Sequence, residues 1–302
     1  MRLVTRGNLD GLCCAVLITE AEKIDSIELI HPQDITDGLF EVQSGDILAN
    51  LPYHPKCLTW FDHHSATRTY DKPPTSFSGR FGMTSSTSRL VYTHYKTKQP
   101  SLERFEDFLS DVDRFDGATL RMEDVTHPSG YILLGFTLDP RSGLGSYQDY
   151  FRKLVGLVRQ RSIEEILQEP EVKERADRIS ADRQSFLDLM RQHSRREGNV
   201  IVTDLRDVEM TAVGNRFLIY TLFPEANVSL RIAWGPERKF VVATVGHNIF
   251  NRTCRVHVGE LMTKYGGGGH GGAGATPLAV DKADPLIKQM IKDLQNGPSE
   301  AP

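Results

Sequence analysis

Basic residues are not in excess in this chain. Lys and Arg number 36 against 40 Asp and Glu, for a net charge of −4. That balance argues against a strongly basic nucleic-acid binder, while leaving room for a local basic cleft. Aromatic and basic residues do not interleave, which counts against a base-stacking platform. No stretch approaches the roughly 20 apolar residues of a membrane span, and the opening Met-Arg-Leu-Val-Thr has no apolar signal core. The expected compartment is therefore the cytoplasm, with no membrane partner. Cysteine is scarce: Cys13, Cys14, Cys57 and Cys254 show no paired metal-ligand spacing. They read as reduced, small hydrophobes. There is no internal repeat, and the only low-complexity segment is one glycine run.

What is present suits two ordinary domains, with 39% hydrophobic and 25% charged residues in 302. A short apolar strand over residues 2–5, the turn Arg6-Gly7-Asn8 and an apolar helical run over residues 12–18 open a βαβ pattern. Further strands are expected at residues 27–31, 46–48 and 57–61, the last running straight into Asp62-His63-His64. In open parallel sheets ligands collect at the carboxyl ends of strands. Arg6, Asn50 and Asp62 all fall at such ends. Residues 71–83, rich in Pro, Ser and Gly, predict a loop, followed by a helix to about residue 95. Another helix over residues 105–115 carries Asp107, Asp111 and Asp113, with Asp116 just beyond. Residues 146–192 read as charged helix interrupted at Pro170. From residue 199 strands are expected at residues 200–202, 217–221, 228–233 and 240–245, then a helix over residues 256–265, the glycine run and a last weak helix.

The fold class expected is α/β, with a parallel doubly wound sheet over residues 1–150. A helical connector follows over 151–197, then a smaller α+β domain over 198–285 and a tail over 286–302. Two motifs carry chemistry. Asp62-His63-His64 places imidazole and carboxylate donors at a strand end, a ligand chemistry suited to Mn²⁺ or Mg²⁺. The run Gly266, Gly267, Gly268, Gly269 beside His270 lets backbone N–H groups crowd a phosphate. Arg231 and Arg252 are further candidates for phosphate contacts.

Taken together, the two motifs resemble those of the DHH/DHHA1 phosphoesterase family. FDHHSA and YGGGGHGGAGA are similar to its DHH motif and DHHA1 signature. VTRGNLDGLCCAVL, LANLPY and LSDVDRFD are similar to its first, second and fourth motifs. HPQDITDG and VGHNIFNRT look most like the exopolyphosphatase-like or oligonucleotide-phosphatase-like branch. The resemblance implies a metal-dependent phosphohydrolase acting on a phosphorylated small molecule, polyphosphate or short oligonucleotide, with homodimerisation left open. It implies Asp10, His63 and Asp111 as metal ligands. It implies Asp62, His63 and His64 as catalytic positions, and Gly266 to Gly269 with His270 as a substrate-gripping loop. From their own chemistry, Arg6 joins the expected catalytic set, and Arg231 and Arg252 the expected substrate contacts.

The chain departs from the family's ligand pattern in a definite direction. Arg6 and Asn8 stand where a histidine and an aspartate are usual, and Asn50 stands where an aspartate bridges both metals. Asn8 and Asn50 are thus weak or lost ligand positions. The retained carboxylates supply −2 and Arg6 adds +1, against the usual −4 for two divalent ions. Such a site is expected to hold one ion per chain, because two ions about 3.5–4 Å apart need more compensating charge. Two further readings stay open: a phospho-ligand sensor with a weakened catalytic centre, and a nucleic-acid binder acting through the DHHA1 segment.

Overall fold

In the computed structural model the described residues are 1–64, 74–140, 144–208 and 214–296. The Ser65-Ala66 end of the FDHHSA motif, the start of the expected 71–83 loop and the last residues of the tail lie outside them. The chain divides into two compact units, Met1–Leu120 with His127–Ser180, and Arg121–Thr126 with Ala181–Pro302.

The elements of the first unit are β1 (Arg2–Thr5), α1 (Leu9–Ala21), β2 (Ser26–Leu29), α2 (Pro32–Thr36), β3 (Asp46–Ala49), β4 (Thr59–Asp62), β5 (Gly79–Phe81), α3 (Thr87–Tyr95) and α4 (Glu106–Asp116). The short α5 (Met122–Thr126) belongs to the second unit. The first unit resumes with α6 (Gly130–Thr137), α7 (Tyr147–Gln160) and α8 (Ile163–Gln168), and the boundary between units falls within α9 (Pro170–His193). Pro170 stands at the first position of α9, where its missing N–H costs nothing. The second unit continues with β6 (Ser194–Glu197), β7 (Val200–Asp204), α10 (Ile219–Leu222), β8 (Val228–Trp234), β9 (Val241–His247), α11 (Val258–Lys264), β10 (Gly268–His270), β11 (Ala273–Leu278) and α12 (Ala283–Asn296).

The first sheet has the order β2-β1-β3-β4-β5, and all its pairings are parallel. Its alternating side chains build two cores. Leu3, Ile47 and Phe61 face a cluster with α1, α3, α4 and α7. Val4, Leu48 and Trp60 face a smaller cluster with Ile35, Val42 and Leu51. There Trp60 stacks on Phe81 with centroids 5.0 Å apart. Register between β1 and β3 is pinned at the edge by Arg2, whose Nε and Nη2 donate to the two Asp46 carboxylate oxygens at 2.9 and 2.7 Å. Helix α1 is buried on every side from Leu9 to Ile18. Cys13 and Cys14 lie in that core with their thiols pushed well up by burial, as inert hydrophobes. The inner face of α7 joins the same core through Tyr150, Phe151, Leu154, Val155 and Val158.

The second sheet runs β10-β11-β9-β8-β7-β6, antiparallel except for the parallel β7–β8 pair, and its core is covered by α11 and α12. The expected strand at 217–221 is instead a short 3₁₀ turn, Arg216–Leu218, running into α10. Its apolar residues give no period to decide between strand and helix. Asn215 decides it locally by capping the turn, its side-chain oxygen accepting from Phe217 N at 3.0 Å. Strands β5, β6, β10 and β11 have no counterpart among the expected strands: β5, β6 and β10 are only three or four residues long, and β10 and β11 fall in and just after the glycine run.

The entry to α1 is tightly built. A Cβ on Gly11 would stand 1.9 Å from the Arg6 carbonyl oxygen, and one on Gly7 would meet the Tyr147 ring at 2.8 Å. Gly156 in α7 has nothing within 4 Å of the same added atom. Gly11→Ala is therefore expected to destabilise the first unit by about 2–3 kcal/mol or more. Gly156→Ala should stabilise it by about 0.4–1 kcal/mol. Thermal unfolding midpoints of the two variants read this directly; equal shifts would contradict the close approach at Gly11.

Candidate metal centre

Strands β1, β3 and β4 are neighbours, so their carboxyl ends gather the Arg6–Asn8 turn, Asn50 and the Asp62-His63-His64 corner at one sheet edge. Asn8 caps α1, its Oδ1 accepting from Gly11 N at 2.9 Å. That cap sets Asp10 in the first turn, 1% exposed. Both of its carboxylate oxygens accept backbone N–H bonds from the start of α3, from Thr87 at 2.9 Å and Ser88 at 2.8 Å. Helix N-termini carry orphan donors and a positive dipole end, so a buried anion is favoured there. Burial, reinforced by the nearby Asp116 charge, still lifts the Asp10 pKa to about 6, against the lowering effect of His63 and the Ser88 hydrogen bonds.

Asp62 ends β4 and organises the corner after it. Its Oδ1 accepts from His63 N at 2.9 Å and His64 N at 3.3 Å, and it lies 2.7 Å from His64 Nδ1. With Nδ1–H donating to that carboxylate, His64 turns Nε2 outward from a side chain 32% exposed. His63 is oriented differently. Its Nδ1 lies 3.0 Å from the Thr84 carbonyl oxygen, which assigns the proton to Nδ1 and leaves Nε2 as the ligating nitrogen of the neutral ring. Nε2 is 3.1 Å from Asp116 Oδ2, but off the hydrogen-bonding direction, so it remains buried without a hydrogen-bond partner. Burial lowers the His63 pKa, but the Asp116 carboxylate, the Thr84 carbonyl and Asp10 outweigh it and raise it to about 9.

Asp10, His63 and Asp116 form a candidate cation site, with one ligand atom from each within 4.8 Å of the others. The donors fit a divalent ion: two carboxylates and one imidazole suit Mn²⁺ or Mg²⁺. A carbonyl-anchored Nδ1–H with Nε2 turned toward carboxylates is the usual arrangement of a metal-ligating histidine.

Two of the three expected ligands, Asp10 and His63, are therefore brought together. The third expected ligand, Asp111, is not in the cluster; Asp116 takes that place. Both lie on α4, five residues and hence about 140° apart around the helix axis. Asp111 pairs with Arg114 Nη2 at 2.9 Å instead. Asp113, on the same helix, is occupied by Ser86 and Arg89. Sequence alone offers four aspartates on this helix, and only its phase against the strand edge selects the last.

Asn8 and Asn50 are bonded to each other, Asn50 Nδ2 donating to Asn8 Oδ1 at 3.0 Å. Asn50 adopts φ 59°, a left-handed conformation that asparagine tolerates. Its own Oδ1 is buried without a partner. Arg6 is half-buried and, among the described residues, makes no ion pair or hydrogen bond.

The remaining candidates lie in the second unit. Gly268, Gly269 and His270 form β10. A Cβ on Gly267 would stand 2.1 Å from the Ala275 oxygen, and one on Gly269 would stand 2.3 Å from the Ala273 oxygen. The close β10–β11 hairpin thus demands glycine at both positions, while Gly268 is open and exposed, and Gly266 takes φ 86° after α11. His270 is exposed and its Nδ1 accepts from Gly272 N at 3.3 Å. Arg231 lies on the half-exposed face of β8 opposite Thr244, and Arg252 Nε donates to the Ile249 carbonyl at 3.1 Å.

With this geometry in hand the chain can be set beside solved structures. The pGpG-specific phosphodiesterase PggH of Vibrio cholerae is 35% identical with a TM-score of 0.78, covering 98% of this chain and 99% of that one. The chain belongs to the DHH/DHHA1 phosphoesterase family. RecJ of Thermus thermophilus in complex with Mn²⁺ shares the fold at 13% identity and TM-score 0.61, covering 99% of this chain and 52% of RecJ. So does the DHH domain of a member of the S1p family of ribosomal proteins, at 12% identity and TM-score 0.56, covering 99% of this chain and 87% of that one. No protein-family model matches the chain, and no curated protein matches it. Among the described residues no helix is long and apolar enough to cross a membrane.

A metal must displace the proton that His63 holds up to about pH 9 in the metal-free protein. Mn²⁺ affinity is therefore expected to rise about tenfold per pH unit between pH 6.5 and 8.5, with close to one proton released per ion. The slope should steepen below about pH 6, where Asp10 also takes up a proton. Calorimetry in buffers of different ionisation enthalpy counts the protons. An affinity flat across this range would show that His63 is not a ligand.

Proposed function

We propose that this protein is a metal-dependent phosphodiesterase that hydrolyses a short linear dinucleotide, the class of substrate named for its Vibrio cholerae relative. The observation that carries the reading is the buried His63 Nε2 without a hydrogen-bond partner between Asp10 and Asp116. In this proposal Asp10, His63 and Asp116 hold one Mn²⁺ or Mg²⁺ per chain. When bound, such an ion supplies a water of lowered pKa and a Lewis-acid contact to the phosphoryl group.

The chain's own residues then have separable tasks. Asp62 holds Nδ1–H of His64, so His64 presents Nε2 as a proton carrier toward the leaving oxygen. Hydrolysis adds one water across one P–O ester bond: the water oxygen stays on phosphorus and the leaving alkoxide takes a proton. Arg6 donates to a phosphoryl oxygen, a pairing guanidinium makes readily. In the second unit, taken by itself, His270, the glycines Gly266 to Gly269, Arg231 and Arg252 are candidates for phosphate contacts. Similarity along nearly the whole chain to a pGpG-specific phosphodiesterase favours this substrate over polyphosphate.

A second reading, a phospho-ligand sensor, is favoured by Arg6, Asn8 and Asn50 standing where the family usually has metal ligands. The two readings part on one assay. With Mn²⁺ present, the wild-type protein is expected to convert pGpG to mononucleotides, and His63→Ala to lower kcat/KM by at least about 10²-fold. Binding of pGpG without turnover would establish the sensor instead. Equilibrium dialysis is expected to give one tight Mn²⁺ per chain, and two would refute the single-ion site.

A further inference from the structure

The amide pair Asn8–Asn50 has a fixed orientation, and that orientation determines what the β1–α1 turn offers a ligand. Asn8 Oδ1 is committed twice, accepting from Gly11 N at 2.9 Å and from Asn50 Nδ2 at 3.0 Å. A carboxamide oxygen has two lone pairs, so both are used. Turning the Asn8 amide over would set its NH₂ against two donors, so the network itself assigns oxygen and nitrogen. What Asn8 has left is its Nδ2, two N–H groups with no acceptor among the described residues. Two residues earlier, Arg6 carries five N–H donors and likewise has no partner among the described residues. The side chains of the turn therefore offer only donors.

Its shape is also held in advance. The missing Cβ of Gly11 admits the Arg6 carbonyl, the Tyr147 hydroxyl from α7 donates to the Gly7 carbonyl, and the Tyr147 ring lies against Gly7. An independent sign of a ligand comes from Asn50. It is 1% exposed, and its Oδ1, in the same amide group as the Nδ2 bonded to Asn8, is buried without a partner. A buried acceptor left bare beside a donor-only turn calls for a ligand bearing both anionic oxygens and a cation or hydroxyl, as a phosphate with its counter-ion does.

We infer that Arg6 and Asn8 form an oxyanion site for a phosphoryl group, and that Asn8 is not a weakened metal ligand. The change from carboxylate to carboxamide inverts the turn. An aspartate at position 8 would cap α1 equally well but present its second oxygen to a cation; asparagine caps with the oxygen and presents the NH₂ to an anion. The identity of the anion rests on the reading proposed above; the polarity of the turn does not.

The test is Asn8→Asp, which keeps size and helix cap. Titration of the metal-free protein with inorganic phosphate, followed by ³¹P NMR, is expected to show a loss of affinity of at least about tenfold for Asn8→Asp. Arg6→Gln is expected to lose at least as much. In parallel, Mn²⁺ equilibrium dialysis of Asn8→Asp is expected to stay at the wild-type stoichiometry, because Arg6 still opposes a second cation. Phosphate affinity unchanged in Asn8→Asp would overturn the inference. So would a second tight Mn²⁺ in that variant, which would mark Asn8 as a vacated ligand position. Turnover of pGpG is not read in either titration, so a failure of the proposed reaction and a failure of the oxyanion site are separate results.

Discussion

The site depends on one buried carboxylate. Asp10 belongs to the first turn of α1, yet its hydrogen bonds go to the first turn of α3. Burying a carboxylate costs several kcal/mol, and each charge-assisted backbone bond returns about 1.5–3 kcal/mol. The two bonds offset part of the cost, and burial together with the nearby Asp116 charge still leaves a residual that lifts the pKa to about 6. A cation beside Asp10 would relieve that residual. The same carboxylate therefore joins two helices and keeps a negative charge facing the sheet edge, which ties stability of the first unit to the site.

Around this anchor each neighbour is oriented by a group outside the Asp10–His63–Asp116 cluster. The Thr84 carbonyl fixes the His63 tautomer, Asp62 fixes His64, and Asn50 and Gly11 fix Asn8. The two rings meet edge to face at 4.4 Å, yet they are turned by different partners and take different positions. His63 is 12% exposed and directed at Asp116, whereas His64 is half-open. Adjacent histidines in sequence thus acquire separate tasks through their second hydrogen bonds.

Much of this was legible in the residues, and the exceptions share a cause. Strand β1, the run of β4 into Asp62-His63-His64 and the gathering of three strand ends follow from short apolar runs and the βαβ pattern. Asp10 and His63 can be picked out as candidates from the residues alone. Which aspartate of α4 meets them cannot, because helix phase is a tertiary property: Asp107, Asp111, Asp113 and Asp116 differ only by rotation against the strand edge. Phe217 and Leu218 were read as strand because a short apolar run has no period of its own, and the cap at Asn215 is a local signal of one residue. The glycine run was read as a phosphate cradle, and the structure supplies a packing reason for two of its members. Gly267 and Gly269 are excluded from bearing a Cβ by the β10–β11 hairpin itself, whereas Gly268 is not.

The departures from the family's ligand pattern acquire a direction once the amides are seen in place. Loss of a carboxylate alone would leave a weaker cation site. Here the replacements at positions 6 and 8 are not merely neutral: a guanidinium and a carboxamide with its oxygen already committed leave only side-chain donors there. At position 50 the carboxamide keeps an acceptor, bare and buried. Along the carboxyl ends of β1, β3 and β4 the chain thus offers donors at the first strand, a bare acceptor at the second and imidazoles beside carboxylates at the third. In the reading proposed above, a dianionic phosphoryl group with one divalent ion would set its oxygens toward the first strand and its cation toward the last. A second cation at the first strand would face the Arg6 guanidinium at a position where the family usually has a neutral or anionic ligand.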